Sequence, residues 1–149
     1  MTDFIGAKIA LFMGDDLAVI LRDDKSSIPW PAHWDVPGGG REGTETPLGC
    51  ALRETHEELG LALDPGIVRW GKAFAKEGRL DWFFVGFVPA RAAQAVRFGD
   101  EGQRWALMSP SAYAAHPKRI PHFAARVRMY MDGVPSDLFE RPPARGGGR

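Results

Sequence analysis

Glu54, Glu57 and Glu58 stand at positions i, i+3 and i+4 of a segment with helix signals at both ends. On a helix that spacing gathers three carboxylates onto one patch, where each like-charge pair costs a few tenths of a kcal/mol. A divalent cation turns that repulsion into attraction. An all-carboxylate set of hard oxygens suits Mg²⁺ or Mn²⁺ and disfavours zinc. Taken alone, three glutamates describe a solvated helix face, but their neighbours add to them. Pro37-Gly38-Gly39-Gly40 lets the backbone approach a ligand and offers carbonyl oxygens. Arg53, one turn before Glu57, can pair with Glu57 or with Glu45 and hold carboxylates in place.

Several elements must position these groups. Thr46-Pro47 reads as an N-cap followed by Pro at the first helical position, and Gly60 as the residue past the end, so the helix spans Pro47 to Leu59. Leu48, Leu52, Thr55 and Leu59 share one stripe and the three glutamates point away from it. Upstream, Ala7 to Met13 and Leu17 to Leu21 read as a hairpin around Gly14-Asp15-Asp16. Residues 23–43, rich in Asp, Ser, Pro and Gly around Trp30 and Trp34, read as a structured loop. Downstream, Val68 to Lys76 and Leu80 to Pro89 read as strands around Glu77-Gly78, and Gln103 to Met108 as another. Ser109 caps a short helix through Ala115, and Ile120 to Met131 has helical spacing. With no internal repeat, this order predicts one mixed α/β domain.

A chain of 149 residues and 16.4 kDa has room for one core. Residues 1–140 are expected to form it, and residues 141–149, made only of Pro, Ala, Gly and Arg, a flexible tail. Lys and Arg total 19, as do Asp and Glu, so no bulk field exists to hold long nucleic acid. The single cysteine, Cys50, excludes an internal disulfide or a thiolate metal cluster and suits a reducing compartment. No export signal or apolar run of membrane-spanning length is evident, so the expectation is a cytoplasmic protein without membrane contact.

Gly39, Glu45, Arg53, Glu54, Glu57, Glu58, Gly60 and Leu61 match the Gly-x5-Glu-x7-Arg-Glu-apolar-x-Glu-Glu-x-Gly-apolar box at every specified position but one. The chain thus resembles the Nudix hydrolases of the MutT-like kind. The departure is Thr55, where an aliphatic residue is usual. Its place on the buried stripe makes it a packing change, since a buried hydroxyl can bond back to a helix carbonyl. Trp34-Asp35-Val36-Pro37-Gly38-Gly39 resembles the family's lead-in. Asp100-Glu101-Gly102-Gln103 with Trp105 resembles its downstream acidic loop and strand, so the likeness covers most of residues 5–130.

That resemblance implies an α/β/α sandwich with a mixed central β-sheet. The implied reaction is metal-dependent hydrolysis of a phosphoanhydride bond in a nucleoside diphosphate linked to a group X. It makes Glu57 and Glu58 the principal metal ligands and Glu54 a third ligand or the base. Glu101 becomes a further ligand or the general base, the Gly38 carbonyl a ligand, and Glu45 with Arg53 a supporting pair. Arg22 matches a position that contacts the nucleotide, and Trp30 and Phe74 are candidates to stack a base. His122 lies where relatives that sanitise oxidised purines place a base-reading Asn; this chain has no Asn at all. Lys76 to Arg79 show neither the Pro of ADP-ribose relatives nor the Tyr of diadenosine polyphosphate relatives. Residues 23–32 lack the coenzyme A signature. A small nucleotide, first a nucleoside triphosphate and second a nucleotide sugar, is therefore the expected substrate of a monomer or homodimer. A nucleotide-binding module without turnover is the alternative.

Overall fold

The strand on which the rest is assembled is β1, Phe4–Met13. In this computed structural model, which describes residues 3–138, it turns directly into β2, Asp16–Leu21, with Met13 opposite Asp16 and Phe12 opposite Leu17. Asp16, expected in the turn, therefore already belongs to the sheet. The two strands then part. The opening is filled by β3, Trp34–Asp35, pairing with the end of β2, and by β4, Gly38–Gly40, pairing with Gly6 to Lys8 of β1. Both lie in the segment expected as a structured loop.

The far edge of β1 pairs in parallel with β6, Arg79–Val88, which forms a hairpin with β5, Val68–Lys76. The last strand, β7, Arg104–Met108, lies antiparallel along β2. The sheet is thus mixed and seven-stranded. Ser136 and Asp137 bond to Gly71 and Ala73 of β5, covering that edge of the sheet against pairing with another chain.

Alternation along β1 assigns its residues to two cores. Ile9 and Leu11 are buried on the face covered by helix α1, Pro47–Leu59. Ala10 and Phe12 pack with Tyr113 of α2, Pro110–Ala115, and with Phe123 and Val127 of α3, Pro121–Met131. This is the expected α/β/α sandwich. The expected tail, residues 141–149, lies outside the described residues. No helix among the described residues is long and apolar enough to cross a membrane.

Helix α1 has the caps its sequence announces: the Thr46 side chain accepts from the Gly49 N–H at 3.0 Å, and Gly60 ends it at φ 69°. Its buried residues are Cys50, Ala51, Thr55 and Leu59, whereas Leu48 and Leu52 are half-buried. The small side chains of Cys50 and Ala51 let the helix lie close to β1 and to the glycines of β4. Thr55 Oγ1 donates to the Ala51 carbonyl at 2.7 Å, so the polar atom at the departed box position is satisfied within the helix. Thr55→Val removes donor and desolvation cost together, and the carbonyl keeps its helix partner. The thermal midpoint of Thr55→Val is expected within about 3 °C of the unaltered protein, by calorimetry. A larger fall would show that the hydroxyl does more than satisfy itself.

Candidate active site

Arg53 gathers the acidic groups of the box. Its Nε and Nη2 donate to Glu45, Nη2 to the Gly40 carbonyl at 2.9 Å, and Nη1 to Glu54 at 2.9 Å and to Glu57 at 3.0 Å. The pairing raises the guanidinium pKa further and holds the Glu45 carboxyl below its ordinary value. The sequence offered Glu45 or Glu57 as the partner of Arg53; the structure joins both, and Glu54 with them. The Glu54 side chain is 16% exposed and that of Glu57 55%, so Glu57 remains the more open to a ligand. Gly39 lies directly under the Glu54 carboxylate, and any Cβ there would overlap it.

Glu58 does not belong to a solvated face. It is half-buried, its Oε1 accepts from the Gly38 N–H at 2.9 Å, and burial pushes its pKa up to about 8 against the opposing pull of Lys8 and of that N–H. Gly38 adopts φ 132°, and a Cβ would run into the Ala7 carbonyl. Its own carbonyl accepts from Lys8 Nζ at 3.0 Å. Lys8 also reaches the buried Asp35 carboxylate at 3.0 Å, and Arg22 Nη1 meets the same oxygen at 2.9 Å. Neither Lys8 nor Asp35 was among the candidate residues. A charged side chain inside each of two apolar stretches, 4–13 and 34–37, was the available signal.

The loop bearing Glu101 is tied down at both ends. Gly99 N–H donates to the Glu58 carbonyl at 2.9 Å, and Gln103 N–H to the Leu21 carbonyl at 2.8 Å. Glu101 therefore faces the box from a distant part of the chain. Glu57, Glu58, Asp100 and Glu101 line one cleft, and Arg22, Asp35, Glu58 and Glu101 line the adjoining one. Among the described residues, no three His, Cys, Asp or Glu side chains converge closely enough to hold an ion as they stand. Arg53 draws Glu54 and Glu57 to itself. The donor chemistry still fits a hard divalent ion, because the acidic cleft offers carboxylate oxygens and no soft ligand. Cys50, buried with its pKa pushed up to about 11, is held as a thiol.

The aromatic candidates divide. Trp30, 40% exposed, stands 6.0 Å from His122, whose imidazole is held below its ordinary pKa by burial and by Arg126. These two meet. Phe74 is half-buried on β5, and the Arg126 guanidinium lies over its ring at 4.0 Å while pairing with Asp81 at 3.1 Å. One face of that ring is taken.

Comparison with known proteins agrees with this geometry. A NUDIX domain profile matches residues 5–129. A 36-residue stretch is 53% identical to diphosphoinositol polyphosphate phosphohydrolase 3-alpha of Mus musculus, covering 24% of this chain and 22% of that protein. The chain thus spans about a fifth of that relative's length. Among solved structures, a MutT protein from Methanosarcina mazei Go1 superposes with a TM-score of 0.67 at 18% identity, over 88% of this chain and 95% of that one. A bifunctional NMN adenylyltransferase/ADP ribose pyrophosphatase from Francisella tularensis, complexed with AMP and a Mn ion, superposes with a TM-score of 0.66 at 16% identity. It covers 89% of this chain and 42% of that one. At these identities the two structures share the fold.

The Glu58 carboxyl carries a pH signature. Its folded pKa of about 8 lies above the ordinary carboxylate value, so the metal-free folded state keeps a proton that the unfolded chain releases. This contribution to stability is complete at acid pH and is lost as pH rises toward about 8. Glu58→Gln abolishes the dependence. Against the unaltered metal-free protein, the variant is expected to gain at least about 1 kcal/mol, or ~2–4 °C, between mildly acid and mildly alkaline pH. Parallel melting curves for the two proteins across that range would refute it.

Proposed function

The chain belongs to the Nudix hydrolase family, and from that premise we propose that it hydrolyses a phosphoanhydride bond of a nucleoside diphosphate linked to a further group. A nucleoside triphosphate is the first substrate and a nucleotide sugar the second. The observation that carries the reading is that two distant segments bring Glu57, Glu58 and Glu101 into one cleft, with Arg22 at its margin.

Glu57 and Glu58, with Glu54 and the Gly38 carbonyl as further donors, would hold Mg²⁺ or Mn²⁺, which neutralises the diphosphate and acidifies water when bound. The chain's own groups do the rest. Arg53 keeps Glu45, Glu54 and Glu57 in register, since each carboxylate is bonded to the same guanidinium. Arg22 pairs with a substrate phosphate oxygen. The Glu101 carboxylate, exposed on its tethered loop, accepts the proton of the water that attacks phosphorus in line with the leaving phosphate. Attack by water needs no protein nucleophile, in keeping with Cys50 being held as a thiol. Trp30 and His122 offer an aromatic platform for the ring of the nucleotide.

One observation favours a second reading. The hold of Arg53 on Glu54 and Glu57 suits a module that binds a nucleotide without turning it over. Formation of the nucleoside monophosphate separates the two, followed by chromatography on a panel of nucleoside triphosphates, oxidised purine nucleotides and nucleotide sugars with Mg²⁺ or Mn²⁺. One class is expected to turn over. A chelator should abolish that activity, and a Glu57→Gln/Glu58→Gln double variant should lower it by about 100-fold or more, roughly 2.7 kcal/mol of transition-state stabilisation. No turnover by the unaltered protein, with a nucleotide still raising its melting temperature, would give the binding module its place.

A further inference from the structure

Lys8 lies in the middle of β1, flanked by β6 on one side and β4 on the other, with its side chain 15% exposed. An ammonium in such a place is costly unless its three N–H bonds all find acceptors. All three do: Asp35 Oδ2 at 3.0 Å, the Val36 carbonyl at 3.2 Å and the Gly38 carbonyl at 3.0 Å. The Phe123 ring lies 5.5 Å from the same nitrogen. One side chain thereby grips three of four consecutive residues, and the fourth, Pro37, accepts from the Ile9 N–H at 2.8 Å.

The two ends of this turn face the site. At one end Asp35 Oδ2 also receives Arg22; at the other the Gly38 N–H reaches Glu58. We propose that Lys8 is a positioning residue whose ammonium, by holding the Asp35–Gly38 turn, registers Arg22 against Glu58 and so sets the distance from phosphate-binding cation to ligand carboxylate. This rests on the hydrolase reading. Without the ammonium the Val36 and Gly38 carbonyls lose an acceptor role met from inside the protein, and Asp35 keeps one cation where it had two. The turn loosens and the Gly38 N–H leaves Glu58. Lys8 touches no substrate in this arrangement, so its removal lowers turnover more than substrate affinity.

The test compares Lys8→Met and Lys8→Arg with the unaltered protein by amide hydrogen exchange without metal or substrate, and by kcat and KM on the substrate that the panel selects. In Lys8→Met, exchange at Ile9, Val36 and Gly38 is expected to quicken by about tenfold or more while β5 and α3 keep their protection. The same variant should lose kcat by about tenfold or more, with KM within about threefold. Lys8→Arg, which keeps charge and donors, should recover most of the protection and part of kcat. In a Glu58→Gln background, Lys8→Met should lower the remaining rate by less than about threefold, because the group it positions has already gone. A rise in KM alone would make Lys8 a substrate contact, and lost protection across the whole sheet would make it a general stability residue. Unchanged exchange at Val36 and Gly38, or faster exchange with no change in kcat, would overturn the proposal with the hydrolase reading intact. No turnover by the unaltered protein sinks that reading and this proposal with it, whatever the exchange pattern.

Discussion

Beyond the pairs Phe12–Leu17 and Met13–Asp16, β1 and β2 no longer bond to each other, and the facing edges of both strands must find other partners. The chain from Trp34 to Gly40 supplies them, pairing first with the end of β2 and then with the start of β1. A segment laid between two diverging strands has to change partners within a few residues. Pro37 and the three glycines after it permit that change, and Gly38 makes it at a φ closed to most side chains. The candidate site follows from this insertion. It leaves the Gly38 N–H pointing at α1 and the Asp35 carboxylate between Lys8 and Arg22.

Charge is then distributed unevenly around the inserted turn. On the helix side one guanidinium, that of Arg53, serves Glu45, Glu54 and Glu57, and Glu42 stands 3.5 Å from it. Three bonded carboxylates to one cation leave a surplus of negative charge. On the other side Lys8 and Arg22 share the single carboxylate of Asp35, leaving a surplus of positive charge. The two surpluses meet at Glu58, which burial favours in its neutral form. Such a boundary suits a ligand carrying both signs. A phosphate group with its counter-cation is one, the anion toward Arg22 and the cation toward the glutamates.

The features legible in the sequence are those with local causes. The caps of α1 and the two strands around the Glu77-Gly78 turn are set by neighbours within a few positions, and the structure places those elements within a residue or so of the expected bounds. The helical spacing of the box glutamates made them legible as one patch, and the Gly39-to-Leu61 box they complete made them legible as a site. Other features depend on contacts distant in the chain. Strands of two and three residues, as at 34–35 and 38–40, have no room for a periodic pattern. The parallel pairing of β1 with β6 joins segments about 75 residues apart, and no local signal reports it. Leu48 and Leu52 looked like the buried stripe because size was read as depth. The close approach of α1 to glycine backbone instead selects Cys50 and Ala51 for the deepest positions. Lys8 was hidden because a lone lysine in an apolar strand reads as exposed until its acceptors, some 30 residues later, are in place.

The aromatic groups show the same dependence. Phe74 and Trp30 looked equivalent as rings, yet Arg126, anchored by Asp81, occupies a face of Phe74 and leaves Trp30 the more open of the two. Trp30 holds its place at a cost, with φ at 50° and Ala32 at 55°, conformations that side-chain-bearing residues seldom adopt. What holds this backbone is partly Arg22, whose Nε donates to the Pro29 carbonyl at 2.9 Å while its Nη1 pairs with Asp35. A single guanidinium thus joins the loop that presents the indole to the turn that meets Glu58. On the hydrolase reading, the part of the site that takes a ring and the part that takes phosphate are not independent modules. They share Arg22, whose guanidinium is bonded to the loop at Pro29 and to the turn at Asp35.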